Sequence, residues 1–224
     1  MPAKKHARGD RLLERALEAL ALALAEAGAP WMIIGGIAII ARGVRRFTTD
    51  IDAAVRGDAI TVARLVRVLA KHGITPRIEG AEAFARVNLV LLMRHAPTGV
   101  DLDVSLAWSG FERDALEAST PAKFGRVEAP MSTPADLVVF KAIAGRPRDL
   151  EDAAALLALF PDIDIARARA RVVELAALAL APELVSSFDA MTARARPARR
   201  PRRASVRKAP SRTRLTRGGR GGRR

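Results

Sequence analysis

Two carboxylates one residue apart, Asp50-Ile51-Asp52, are the first feature of this chain that could do chemistry. In a strand, side chains alternate, so both acids share one face and Ile51 takes the other. Their α-carbons then lie roughly 7 Å apart. Such a pair repels itself unless a cation sits between, and a divalent metal is the usual resolution. Phosphoryl-type transfer to a hydroxyl needs such ions, which neutralise phosphate charge and activate the nucleophile. A second pair, Asp101-Leu102-Asp103, repeats the spacing. If its strand lies beside the first, one of its carboxylates completes a three-acid metal site.

Gly35-Gly36 follows an apolar run and precedes a short helical pattern. Glycine lets backbone approach a ligand closely, and the start of a helix offers free N–H groups to phosphate. The turn is not a Walker loop, because no Gly-Lys-Ser/Thr follows it. Lys141 interrupts an otherwise apolar helical stretch, and Arg146, Arg148 and Asp149 come directly after. A lysine there could reach a triphosphate, with the arginines as further clamps. His6, His72 and His95 are scattered and receive no metal or catalytic role.

These groups need elements to hold them. Asp10 can cap a helix over about Arg11 to Ala27, with Leu13, Leu20 and Leu24 at helical spacing. Trp31 to Ile34 reads as a buried strand, Ile37 to Ala41 as a short helix, Arg42 to Thr49 as a basic loop and Asp50 to Val55 as a strand. Asp58 can cap a helix ending near Lys71. Val87 to Met93 and Val100 to Leu106 read as strands joined across Ala96-Pro97-Thr98-Gly99. Beyond Phe111 the texture turns helical, with helices at Pro134–Ala144, Arg148–Phe160, Asp164–Leu180 and Pro182–Met191. An α/β part of residues 1–130 therefore precedes a helical segment of 131–191.

The 224 residues suit one compact domain, or a domain with a smaller appendage. The net charge of +14 is all in one place. Residues 192–224 hold 13 Arg, one Lys and no acid, which leaves 24 basic against 24 acidic residues in the rest. That tail lacks apolar periodicity, so the sequence predicts it disordered, a loose contact for polyanions. With no Cys there is no disulfide, thiolate metal site or Cys nucleophile, which fits a reducing, cytoplasmic setting. The longest apolar run, Trp31 to Ala41, is 11 residues, short of the about 20 a bilayer span needs.

Gly35-Gly36, then 13 residues, then Asp50-Ile51-Asp52 and a later hydrophobic-Asp-hydrophobic strand resemble the nucleotidyltransferase superfamily with the DNA polymerase beta-like core. The fuller string, with Arg46-Phe47-Thr48-Thr49, Asp103-Val104-Ser105-Leu106, Phe111-Glu112, Lys141 and Arg146-Pro147-Arg148-Asp149-Leu150-Glu151-Asp152, resembles the AbiEii-type toxin branch. The likeness covers about Ala29 to Phe160. It implies an α/β (α+β) fold, with a mixed sheet flanked by helices, and a metal-dependent enzyme moving a nucleotide from an NTP to an acceptor hydroxyl. By that resemblance Asp50, Asp52 and Asp103 would bind two Mg²⁺ ions, with Asp101 the alternative to Asp103. Gly35, Gly36, Arg46 and Thr48 would contact the nucleotide. Lys141, Arg148, Asp149 and Asp152 match the branch's helix lysine and Arg-Asp-x-x-Asp segment. The family further implies a tRNA or other RNA acceptor, a toxin or defence role and a partner antitoxin. The Arg-rich tail is no part of that pattern. The rivals are a small-molecule acceptor such as an aminoglycoside, a protein hydroxyl, or a catalytically dead nucleic-acid-binding module.

Overall fold

The computed structural model describes residues 2–195, with side chains from Gly9 onward. Its frame is a seven-stranded mixed sheet in the order β3-β4-β5-β2-β1-β7-β6. The strands are β1 (Trp31–Ile34), β2 (Asp50–Arg56), β3 (Ile74–Pro76), β4 (Val90–His95), β5 (Val100–Ala107), β6 (Thr120–Phe124) and β7 (Val127–Met131). At the centre β2 and β5 run parallel, while β1 lies antiparallel to β2 and parallel to β7. The helices are α1 (Pro2–Ala27), α2 (Gly35–Ala41), α3 (Val62–Lys71), α4 (Ala81–Asn88), α5 (Gly110–Ala118), α6 (Pro134–Ala144), α7 (Pro147–Leu159), α8 (Ile165–Leu178) and α9 (Glu183–Ala195).

Helix α1 packs on the sheet and on α3 through Leu13, Leu17, Leu20 and Leu24, all at most 4% exposed. Each such leucine contributes roughly 1.5–3 kcal/mol of transfer free energy. On the central strands Ile51, Ala53 and Val55 and their neighbours Leu102, Val104 and Leu106 are buried, alternating with the acids. One core runs from these strands into α6, α7 and α8 through Leu137, Val138, Leu156 and Val172.

Several boundaries differ from the sequence-based expectation. Asp10 lies inside α1, which begins nine residues or so earlier than that cap would allow. Helix α3 is capped by Thr61, whose side chain accepts from the Arg64 N–H, and not by Asp58. The strand expected from Val87 starts only at Val90. Residues Ala81–Asn88 form α4, and Leu89, at φ +55°, ends it. Helix α5, the β6–β7 hairpin and β3 are additional to the elements expected from the sequence. Helix α9 continues to Ala195 with Thr192 buried, so the first four residues assigned to the basic tail are its last turn. The remainder of the tail, 196–224, lies outside the described residues.

Candidate active site

Parallel pairing of β2 with β5 sets Asp50 beside Asp101 and Asp52 beside Asp103. Neighbours across a sheet share a face, so four carboxylates occupy one patch, about 5 Å apart across the strands and about 7 Å along them. The surroundings sort them. Asp50, Asp52 and Asp103 line a cleft of about 550 Å³ together with Gly35, Gly36, Thr48, Lys141 and Asp149. Asp101 opens instead on a separate groove beside Arg77 and Arg94, and Arg94 Nε donates to its Oδ1 at 2.7 Å.

Four acidic side chains (Asp50, Asp52, Asp103, Asp149) and four basic ones (Arg46, Lys141, Arg146, Arg148) line this cleft, so its charge is balanced in number but unevenly distributed. Burial, followed by the nearby charges of Asp50 and Asp103, pushes the Asp52 carboxyl up to about 6, against a lowering pull from Lys141 and the Gly36 N–H. Burial also raises Asp103, although the Arg77 guanidinium opposes it. Arg77 Nη2 lies 2.8 Å from Asp103 Oδ1 as an ion pair, yet that buried oxygen accepts no hydrogen bond in proper geometry. Asp50 Oδ1 accepts from Thr48 Oγ1 at 2.7 Å. Three hard oxygen donors on adjacent strands, two of them pushed toward the protonated form chiefly by burial and then by neighbouring carboxylates, fit a divalent ion such as Mg²⁺. Among the described residues no three acidic or histidine side chains are gathered around one point; Thr48 engages Asp50 and Arg77 engages Asp103.

The glycine pair makes room for these groups. Gly35 sits at φ +61°, and a β-carbon there would fall 2.5 Å from Asp52 Cγ. A β-carbon on Gly36 would fall 2.8 Å from that of Thr48. The Gly36 N–H also favours the charged form of Asp52. The turn is thus shaped around a carboxylate and a threonine, a closer role than the phosphate contact its sequence suggests.

Lys141 lies in the cleft but does not stand alone. Its Nζ is 2.7 Å from Asp149 Oδ1 and 3.3 Å from Asp152 Oδ2, in a setting where the lysine is 9% exposed. Arg46 pairs with the same Asp152 oxygen, and Arg148 donates to the Phe47 carbonyl. These contacts bind the basic loop before β2 to α7, which Lys141 in turn ties to α6. Asp149 and Asp152 therefore neutralise Lys141 and Arg46, and Arg46 and Arg148 anchor the loop. Arg146, also lining the cleft, has an 81% exposed side chain at its mouth. Sequence reasoning overlooked Arg77, which no motif marks. It also gave no role to Ser105, which lines the cleft two residues beyond Asp103 on the same strand face.

The architecture has a solved counterpart. The solution structure of the antibiotic-resistance factor ANT(2'')-Ia superposes with a TM-score of 0.54 at 17% identity, over 80% of this chain and 96% of that one. The fold is nucleotidyltransferase-like. No protein-family profile matches the chain, and no curated protein matches its sequence. Among the described residues no helix is long and apolar enough to cross a membrane.

Proposed function

We propose that the chain transfers a nucleoside monophosphate from an NTP to an acceptor hydroxyl, with RNA, tRNA first, as the acceptor. The observation that carries this reading is the trio Asp50, Asp52 and Asp103, set side by side by the β2–β5 register in one cleft with the glycine turn. Divalent ions held there by the three carboxylates would neutralise the triphosphate and ease ionisation of the hydroxyl. Asp103 orients the acceptor hydroxyl and takes up its proton. The hydroxyl oxygen forms a bond to the α-phosphorus as the bond from that phosphorus to the bridging oxygen breaks. Pyrophosphate leaves with the electron pair. Arg146 at the mouth meets anionic groups of the incoming strands of charge, whether triphosphate or RNA backbone. A toxin or defence role restrained by an antitoxin completes the reading.

A small hydroxylated acceptor is the second reading. It is favoured by the fold shared with an antibiotic-resistance factor and by the balanced charge outside the tail. One experiment tests both. The protein is incubated with each α-³²P-labelled NTP, Mg²⁺ and either total RNA or a panel of aminoglycosides, with Asp52→Asn as control. Label in tRNA-sized RNA, absent with the variant, supports the first reading. Label in an aminoglycoside supports the second. Label in neither overturns both acceptors, and label retained by Asp52→Asn overturns the site.

A further inference from the structure

We infer that Arg77 is a resident counter-cation of the carboxylate patch, which positions Asp103 and sets how tightly the cleft holds a divalent ion. The inference rests on the three-carboxylate reading above. Arg77 follows β3, two strands away from β5, and its backbone N–H donates to the Leu92 carbonyl of β4 at 3.0 Å. Leu92 is the register partner of Asp103. The guanidinium therefore reaches across β4, a span of roughly 10 Å from strand to strand, which a long arginine side chain can cover. It arrives 2.8 Å from Asp103 Oδ1 and 3.7 Å from Asp101 Oδ2. Arg94 already serves Asp101 from the adjacent strand at 2.7 Å. Two arginines thus face two aspartates, but only Arg77 touches an acid that lines the cleft.

A guanidinium at this distance acts in two ways. It holds the Asp103 carboxylate in one orientation, and it places a positive charge where a dication would have to approach. A divalent ion must share Asp103 with Arg77 or displace it. Either costs metal affinity. What the arrangement gains is a patch whose four acids can coexist before a metal arrives.

The test is direct Mn²⁺ binding, read as loss of the free-ion electron paramagnetic resonance signal, on the full chain and its variants. Arg77→Gln keeps a hydrogen-bond donor and removes the charge, so it should bind Mn²⁺ about fivefold more tightly than the parent, the size expected for a half-buried pair. Arg77→Lys keeps the charge and should stay near the parent. Arg94→Gln, which unpairs only Asp101, should also stay near it. Asp103→Asn should weaken binding. Unchanged or weaker binding by Arg77→Gln overturns the inference, as does an equal gain in Arg94→Gln. Mn²⁺ binding that Asp103→Asn leaves untouched overturns the three-carboxylate reading itself, a distinct result from failure of Arg77 alone. Circular dichroism on each variant separates these outcomes from loss of the fold.

Discussion

At the scale of single residues, the site is a place where the fold accepts local cost. Asp52 holds its proton more tightly in the folded chain than in the unfolded one. Its protonated form therefore stabilises the fold below the ordinary carboxylate range, and that contribution is lost as pH rises through about 6. Asp52→Asn should abolish transfer yet raise the stability of the metal-free protein at pH 7 by about 2–3 kcal/mol, with a flatter dependence between pH 4 and 7. Urea denaturation in EDTA at several pH values checks this, and a less stable variant at pH 7 would refute the cost of burying the Asp52 carboxylate beside other acids. Lys141 behaves in the opposite sense. Lys141→Met leaves the buried Asp149 relying on the exposed Arg146 at 3.6 Å and Asp152 relying on Arg46, a loss of about 2–3 kcal/mol that adding Asp149→Asn should partly restore. Loss of activity in the single variant is thus no proof of phosphate binding unless its melting temperature is held above the assay. Gly35→Ala meets both a left-handed backbone and the Asp52 carboxylate, so it should destabilise the chain by about 2–4 kcal/mol and remove activity. A thermal melt that matches the parent would show that the turn can relax.

The elements differ in how openly the sequence announced them. Asp50-Ile51-Asp52 and Asp101-Leu102-Asp103 could be placed on strands because period two is visible in a handful of residues. Their mutual register could not, since a parallel pair is joined by no hairpin. Helix α6 was readable at both ends: Thr133 caps it, Pro134 opens it and Gly145, at φ +68°, closes it. Helix α5 carries an equally plain local signal in its capping box. Ser109 accepts from the Glu112 N–H while the Glu112 carboxylate accepts from the Ser109 N–H. Ser109→Ala should lower stability by about 1 kcal/mol in urea titrations while leaving the carboxylate patch intact. The β6–β7 hairpin was hidden for a physical reason. Pro121 and Pro130 pair across it, and proline argues against a strand unless an edge is near. Here β6 is that edge. Arg77 had no sequence signal at all, because its link to Asp103 exists only once β3, β4 and β5 are side by side.

For the molecule as a whole, the basic excess and the chemistry are separate in the chain. Ending a truncation at Met191 would cut the last turn of α9 and expose the site of buried Thr192, so the informative truncation ends at Ala195. That protein should show a raised KM for an RNA acceptor with little change in kcat, and the difference should shrink as salt rises. Steady-state kinetics at two ionic strengths checks it. A fall in kcat at saturating RNA would place residues beyond 195 in the catalytic step. An unchanged KM at low salt would move the weight to a small acceptor.

The pairing of β2 with β5 also bears on time. Asp52 and Asp103 meet only after 50 residues of chain between them have closed into a loop, and that loop holds two strands and two helices of its own. Contacts so distant in sequence are slow to gather, and these are mutually repulsive when they do. A divalent ion finds its ligands only in chains that have finished that step. It should therefore leave the refolding rate nearly untouched and lengthen the lifetime of the finished fold, a brake on unfolding visible in stopped-flow urea jumps with and without Mg²⁺.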